Sequence, residues 1–490
     1  MSRRGPITGL LVGAALLAWL TGCAVGPRFE RPALPIDERY TPEPIVLPPA
    51  GANSPRQRLR AGSAPAAQWW RVFGSPPLDL TLARALRSNP TLGAATASLD
   101  AARETLAAAR GALFPTVDAS FGASRSGARS GNPVGAFTGN VYHLGAALAF
   151  PLDAFGGTRR RIEQQAALTD YQDEQVAAAY LTLTGNVVAG AVGIAAAQTQ
   201  IDAVYDILKV DAQNLRLILT AAAAGKASGT DVLAAEGQLA NDRTLLPPLR
   251  QGLDTSRHAL AILVGRSPAD WRAPEFRFET LRLPSDLPLT LPSALVRRRP
   301  DILAAEAQLH AATAAIGIAT ANLYPSLGIS ADWNLEAART ADLFAAAAGA
   351  WSAAAGLSAP VFHGGALRAE RRSAIAACRA SLDAYRETVL RAFGQVADAL
   401  NALQHDAEAL AAEESALEVS RASLELTQQS FQAGQSNVFD LLNAERLYQQ
   451  ARLGHARAVS ARYQDTVQLY LVLGGDAPQR TLPAGRGGPR

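Results

Sequence analysis

From Leu382 onward an apolar residue returns every seven positions: Leu382, Val389, Val396, Leu403, Leu410, Leu417, Leu424 and Phe431. A second run, Tyr180, Val187, Ile194, Ile201, Leu208, Leu215 and Ala222, keeps the same register 209 residues earlier. A strict seven-residue apolar repeat marks helices wound together along one narrow seam. Helices in ordinary globular domains rarely run beyond about 25 residues without caps. Two helices of roughly 65 residues would each be about 100 Å long at 1.5 Å per residue. The remaining helical stretches, about 30 residues before and about 35 after each long one, supply partners of equal total length. Two shorter helices stacked end to end beside each long one give four helical columns per chain.

Four other segments alternate with period two. Val117, Ala119, Phe121 and Ala123 interleave with Thr116, Asp118, Ser120 and Gly122, and Leu327, Ile329, Ala331 and Trp333 interleave with Ser326, Gly328, Ser330 and Asp332. Tyr142, Leu144, Ala146, Leu148 and Phe150 form a third stripe, and Trp351, Ala353, Ala355 and Leu357 a fourth. Alternation over about 10 residues fits strands with one apolar and one polar face, as in a membrane barrel. Phe114, Tyr142, Phe150, Tyr324, Trp333 and Trp351 lie near strand ends, where an interfacial aromatic girdle would sit. A sheet in lipid must have no open edge, and about eight strands is the smallest barrel. Four strands per chain therefore demand oligomerisation, and two, three or four chains would satisfy it.

The whole pattern occurs twice. Pro90 to Ser120 aligns without gaps on Pro300 to Ser330, with 11 of 31 positions identical. Pro151 with Gly156-Gly157 answers Pro360 with Gly364-Gly365, and Gly225, Asp231, Glu236 and Gly265 answer Gly434, Asp440, Glu445 and Gly474. Matching Pro and Gly punctuation signals two copies of one structural unit. The expected organisation is a signal peptide over 1–22, a Pro-rich arm over 23–68 and a first repeat over 69–266. That repeat holds strands near 115–125 and 141–151, a long helix near 158–223, a tight turn at 224–231 and a helix to about 265. A linker over 267–292 leads to a second repeat over 293–474, with strands near 325–334 and 351–361, a long helix near 366–432, a turn at 433–440 and a helix to about 474. A tail over 475–490 follows. The fold class is mainly α with a membrane β part, internally duplicated.

Composition adds constraints. A formal charge of +3, from 46 Lys and Arg against 43 Asp and Glu, gives no basic stripe for nucleic acid. Two cysteines and six scattered histidines give no disulfide framework and no metal site, and no cofactor is expected. Lys226 follows Gly225, but Thr220 and Ala227 replace the Gly and Ser/Thr that a phosphate loop requires. His143 and His363 lack acidic neighbours at useful spacing, and no nucleophile elbow or metalloprotease helix occurs, so an enzyme is not expected. The N-terminus reads as a secretory signal: Arg3-Arg4, an apolar run from Ile7 to Leu20, then Leu20-Thr21-Gly22-Cys23. The last four residues resemble a bacterial lipobox, in which Cys23 is acylated and becomes the new N-terminus. Several acyl chains anchor a protein stably where one does not. By the same resemblance Ala24, in a place where Asp signals inner membrane retention, points to the outer membrane.

Taken together, Cys23-Ala24-Val25-Gly26-Pro27 with Arg31-Pro32, Trp69-Trp70-Arg71-Val72-Phe73, and Leu295 to Glu306 continuing to Leu323-Tyr324-Pro325-Ser326 resemble the outer membrane factor family of tripartite efflux systems. The likeness covers nearly the whole chain and is closest to the TolC/OprM-like channels of the NodT-type lipoprotein branch. It implies a homotrimer with a 12-stranded barrel in the outer membrane of a Gram-negative bacterium and a helical tunnel in the periplasm. It also implies a periplasmic adaptor and an inner membrane pump, of RND type, as partners, together with outer membrane lipids around the barrel and the acylated Cys23. The function implied is a passive channel exporting small molecules such as drugs, solvents or metal ions. An exit duct for type I protein secretion and a lipid-anchored trimeric coiled-coil spacer are the alternatives; alternation in all four strand segments speaks against the spacer.

By the same resemblance the two tight turns form the periplasmic tip. Gly225, Lys226, Gly434 and Gln435 would meet the adaptor, and Asp440, Asn443 and Asp231 would line or close the gate. The family places acidic residues six and nine after the turn glycine; Asp440 fits the first place and Asn443 stands at the second. The partners that hold such a tip shut in the best-known member would fall at Phe431 and Ser436, which cannot make those links. Asp231 and Asp440 are also positioned to cap helices.

Overall fold

The computed structural model describes residues 24–33, 39–49, 51, 55–128 and 137–475. Cys23, the expected signal peptide over 1–22 and nearly all of the tail lie outside the described residues. In chain order the elements are β1 (Arg58–Ala61), a 3-10 turn at Trp69–Phe73, α1 (Pro76–Ser88), α2 (Pro90–Gly111), β2 (Thr116–Ala128), β3 (Phe137–Leu152), α3 (Gly157–Ala223), α4 (Gly229–Arg243) and α5 (Leu246–Leu263). Then come β4 (Asp286–Leu289), α6 (Pro292–Leu295), α7 (Pro300–Ala321), β5 (Ser326–Ala337), β6 (Gly349–Ser358), α8 (Ala366–Gln432) and α9 (Val438–Val472).

The two long helices, α3 and α8, have 67 residues each. Where the sequence reads as one helix of about 30 residues before β2, the structure breaks it at Asn89. A residue before proline is pushed to extended backbone, and Asn89 sits at φ −71°, ψ 123°. Its Oδ1 then accepts the Leu92 amide at 3.0 Å, capping α2 with Pro90 at the first helical position. The helix expected to run from the first tip turn to about 265 is likewise divided, at Thr244-Leu245 ahead of Pro247. After the second turn, α9 continues unbroken for 35 residues, with no proline inside it.

The described residues group into two compact units, one drawn from 24–32, 98–173 and 304–386, the other from 33–97, 174–303 and 387–475. In the first unit β2, β3, β5 and β6 form one antiparallel sheet in that order. Odd-numbered residues of β2, β5 and β6 share a face with even-numbered residues of β3, so Phe121, Leu144, Leu335, Ala146, Trp333 and Trp351 lie on one side. That side collects the apolar set of every strand.

The second unit holds the large core. Trp69 stacks on Tyr470 with centroids 5.3 Å apart and meets Trp70 and Phe73 edge-on, and Phe73, Leu82 and Leu260 are fully buried around them. The Trp-Trp-Arg-Val-Phe motif is thus a packing anchor. Arg299, from the Arg-rich motif, binds Asp301, donates from Nη1 to the Val472 carbonyl at 2.9 Å and reaches Gln395. It satisfies an orphan carbonyl at the C-terminus of α9, where a cation is favoured. β1 pairs in parallel with β4, joining the Pro-rich arm to the linker. The apolar heptad positions Val187, Ile194, Val396, Leu403 and Leu410 are buried. By length and composition α3 and α7 could cross a membrane, but in each case about half of the apolar window is packed inside the protein.

Candidate functional site

Both tight turns are built alike. At the end of α3, Gly225 adopts φ +70°, its amide donates to Ala222, and the Lys226 amide reaches back to the Ala221 carbonyl at 2.8 Å. At the end of α8, Gly434 adopts φ +74°, its amide donates to Phe431, and the Gln435 amide reaches the Ser430 carbonyl at 2.8 Å. This is the paired-bond C-cap in which a left-handed glycine satisfies two last-turn carbonyls. Three residues further on, Ser228 and Asn437 cap the next helices. Ser228 Oγ accepts the Asp231 amide and Asp231 Oδ2 accepts the Ser228 amide at 2.8 Å; Asn437 and Asp440 exchange the equivalent bonds. Backbone and side-chain bonds from Ser228 hold the exposed Asp231 carboxyl below the usual carboxylate range. Both aspartates therefore close capping boxes.

Asn443, one turn beyond Asp440, accepts from Arg446 at 2.9 Å. Phe431 packs against the core cluster of Ile218, Leu424, Val438 and Leu441, and Ser436 donates to the Thr427 carbonyl. Among the described residues neither side chain is hydrogen-bonded to Asp231; each turn has its own capping box, and one apolar cluster packs the two together.

Behind the turns lies a buried polar layer. On α3, Val204, Asp211 and Ile218 fall seven apart and are all buried, as are Ile207 and Asn214. Asp211 and Asn214 thus occupy core positions of a second heptad seam, where a polar residue fixes register at a cost in stability. Gln449 of α9 donates to Asp211 at 3.2 Å and to Asp242 of α4, and its Oε1 accepts from Gln238 at 3.2 Å. Gln428 of α8 donates to Asn214 at 2.9 Å. Every one of these bonds joins the first copy to the second. Burial, then hydrogen bonding with Glu445 and the charges of Glu445 and Asp242, push the Asp211 carboxyl up to about 9. Among the described residues these three carboxylates form no salt bridge. This layer was readable in principle from the Val204–Asp211–Ile218 spacing, but only the neighbouring all-apolar seam stood out.

In the sheet unit the segment after Cys23 is docked. The Val25 amide donates to the Phe155 carbonyl at 3.1 Å, and Arg160, itself buried, donates to the carbonyls of Val25 and Gly26 and to Glu163. Gly26, at φ +94°, lies so close to Gly317 that a Cβ would come within 2.6 Å of its Cα. Phe29 stacks on His310 with centroids 4.4 Å apart, and Arg31 pairs with Glu306 at 2.7 Å. Ala24 rests against Gly156, in the short turn between β3 and α3. The residue next to Cys23 is therefore fixed at the foot of the sheet.

The expected girdle residues divide by environment. Trp333 and Trp351 are cross-strand partners and both project from the sheet, while Tyr142 and Phe150 lie on β3 of the same face, half-covered by neighbours. Phe114 is exposed just before β2. Tyr324 stacks face to face on Phe155, 4.8 Å between centroids, an intrachain contact that its girdle assignment did not anticipate.

The family described as outer membrane efflux protein matches residues 81–266 and again 291–475. The chain belongs to this family. Its two matches reproduce the internal repeat, and together they take in more than half of the chain. Among similar proteins, the pyoverdine export outer membrane protein OpmQ of Pseudomonas aeruginosa is 32% identical, over 95% of this chain and 96% of its own length. Nodulation protein T of Rhizobium leguminosarum bv. trifolii is 27% identical, over 93% of this chain and 94% of its own. The toluene efflux pump outer membrane protein TtgC of Pseudomonas putida is 28% identical, over 97% of both. Among solved structures, the outer-membrane channel OprN superimposes at TM-score 0.83 with 29% identity, covering 92% of this chain and 99% of that one. The open state of the Neisseria gonorrhoeae MtrE channel gives 0.77 at 25% identity, over 92% and 98%. For this outer membrane efflux protein, the relatives are export and channel proteins rather than enzymes.

Proposed function

We propose that three copies of this outer membrane efflux protein form a passive exit duct in the outer membrane of a Gram-negative bacterium, anchored by acylated Cys23. The observation that carries the reading is the four-stranded sheet, apolar on one face, whose outer strands β2 and β6 each pair on one side only among the described residues. Exposed edge groups cannot face lipid, so the sheet is complete only as part of a ring. Three copies give a 12-stranded barrel, wide enough for a water-filled path lined by the polar faces. The docked arm, with Ala24 fixed beside Gly156, supports an anchor at the foot of that barrel.

Helices α3, α4, α8 and α9 would line the periplasmic tunnel, with the turns at Gly225-Lys226 and Gly434-Gln435 presented to a periplasmic adaptor and an RND-type inner membrane pump. Asp440 lies on an exposed first turn, and three copies would concentrate negative charge in a ring favouring cations. Asn443 and Arg446 beside it would temper that charge, and Asp231 would serve its own capping box first. Names of relatives point to small molecules as cargo: pyoverdine, toluene and antibiotics.

A deletion strain, challenged with a panel of antibiotics, solvents and metal ions, tests the reading. The duct predicts hypersensitivity to at least one class, restored by the intact gene but not by a variant with a bulky plug in the tunnel. Restoration by the plugged variant would favour a spacer without a pore.

A further inference from the structure

The internal duplication carries a template for the contact between chains. Within one chain, β3 ends the first copy, β5 begins the second, and they pair antiparallel, with Ala149 opposite Ser330 and Leu152 opposite Leu327. In a closed ring of identical chains, the next junction joins the end of a second copy, β6, to the start of a first copy, β2. The same two kinds of strand meet in the same order. Pro151 maps on Pro360 and Pro115 on Pro325, offsets of 209 and 210, so Ala149 maps on Ser358 and Ser330 on Ser120.

We propose that β6 of one chain pairs antiparallel with β2 of the next in the register that sets Ser358 opposite Ser120, and that the turn after β6 seats Phe362 on Phe114 of that neighbour. This rests on the ring reading of the duct but not on the number of chains in it.

Two observations support it independently of the mapping. The first is facing. The transferred register sets Leu357 opposite Phe121 and Ala355 opposite Ala123, apolar on apolar, while Ser358 meets Ser120 on the polar side. A slip of one residue would send every side chain of β6 to the wrong face. Three of the four prolines that set the offsets lie outside the strands and the fourth, Pro151, is the second-last residue of β3, so the agreement in facing was not built into their choice.

The second is the turn. In the intrachain junction Phe155, just before Gly156-Gly157, stacks on Tyr324, just before Pro325. Tyr324 maps on Phe114, just before Pro115, which is 67% exposed. The turn after β6 is one residue shorter: His363 stands directly before Gly364-Gly365, and Phe362, one place earlier, is 87% exposed beside Val361 at 93%. The stacked pair of the intrachain junction is partly covered, Phe155 half-buried and Tyr324 44% exposed, whereas their counterparts beside the two outer strands of the sheet are more exposed still.

Disulfide trapping tests the register in full-length protein in the outer membrane of the producing cell, in a Cys378→Ala background. Facing residues of paired strands have Cβ atoms about 4.5–5.5 Å apart, within disulfide reach. Ser120→Cys with Ser358→Cys should yield, on mild oxidation, a ladder of covalent dimer and higher species that reductant abolishes; each single variant should not. Asp118→Cys or Gly122→Cys with Ser358→Cys should cross-link weakly or not at all. Should the serine pair fail to reach the membrane, Ala123→Cys with Ala355→Cys repeats the test from the apolar face. A stronger ladder from the Asp118 or Gly122 combination would overturn the register and leave the ring standing. No ladder from any pair, in protein that still conducts in bilayers, would overturn the β6 to β2 junction. A monomeric mass with neither ladder nor conductance would instead remove the duct reading on which it rests.

Discussion

Gly225 and Gly434 stand 209 residues apart, both in left-handed backbone, and each ends a 67-residue helix with the same pair of hydrogen bonds. An ideal Cβ at either position meets nothing within 4 Å. Replacement by alanine should therefore cost only backbone strain, roughly 1–2 kcal/mol at each turn. Gly237 has equally open surroundings but lies inside α4 with ordinary helical backbone. Gly237→Ala should stabilise by about 0.5–1 kcal/mol. Denaturant midpoints of the three variants check this, and a shift of the same sign in all three would refute the turn assignment.

The polar layer predicts a pH dependence. The folded chain holds a proton on Asp211 up to about 9, whereas the unfolded chain releases it near 4. Stability from this group is whole below about pH 4 and is lost as pH rises through about 9. Asp406 also titrates high, at about 7, through burial and its bond to Asp465, so the total profile has more than one contributor. Asp211→Asn isolates the layer: it should remove part of the fall in stability between pH 6 and 10, leaving the variant roughly 1–4 kcal/mol more stable than the parent at the alkaline end. Parallel curves would show that Asp211 ionises freely.

Docking of the arm depends on one close approach. Gly26→Ala places a methyl group against the Gly317 backbone, which cannot yield as a flexible side chain could, and the left-handed φ adds strain. The variant should expose Arg28 and Arg31 to trypsin at least tenfold faster than the parent, with Arg160→Ala giving a smaller increase. Unchanged cleavage in both would mean that the arm is not held by these contacts.

Much of this architecture was legible because punctuation is local. A proline or a left-handed glycine constrains its own backbone, so the turns at Gly225 and Gly434 and the strand starts after Pro115 and Pro325 could be placed from residue identity. Seven-residue and two-residue periods likewise report a face without naming a partner. The polar layer was less visible, because Asp211, Asp242, Glu445 and Gln449 come from three helices, and each alone reads as a solvated residue on a helical face. Pairing of β1 with β4, and the contacts of Phe29 with His310 and of Arg31 with Glu306, involve irregular chain whose partners are more than 200 residues away. No period exists there to reveal them. The breaks at Asn89 and Thr244 are marked by Pro90 and Pro247, but a proline in the first turn is compatible with helix, so residue identity alone did not separate two short helices from one long stretch.

As proposed, three copies of this chain build a conducting path with Asp440 at its narrow end. Single-channel recording of the purified, acylated protein in planar bilayers tests it most directly. Discrete, cation-preferring openings are expected, and in Asp440→Ala a higher unit conductance or a weaker cation preference. Absence of conductance from correctly inserted oligomer, or unchanged conductance and selectivity in Asp440→Ala, would contradict it.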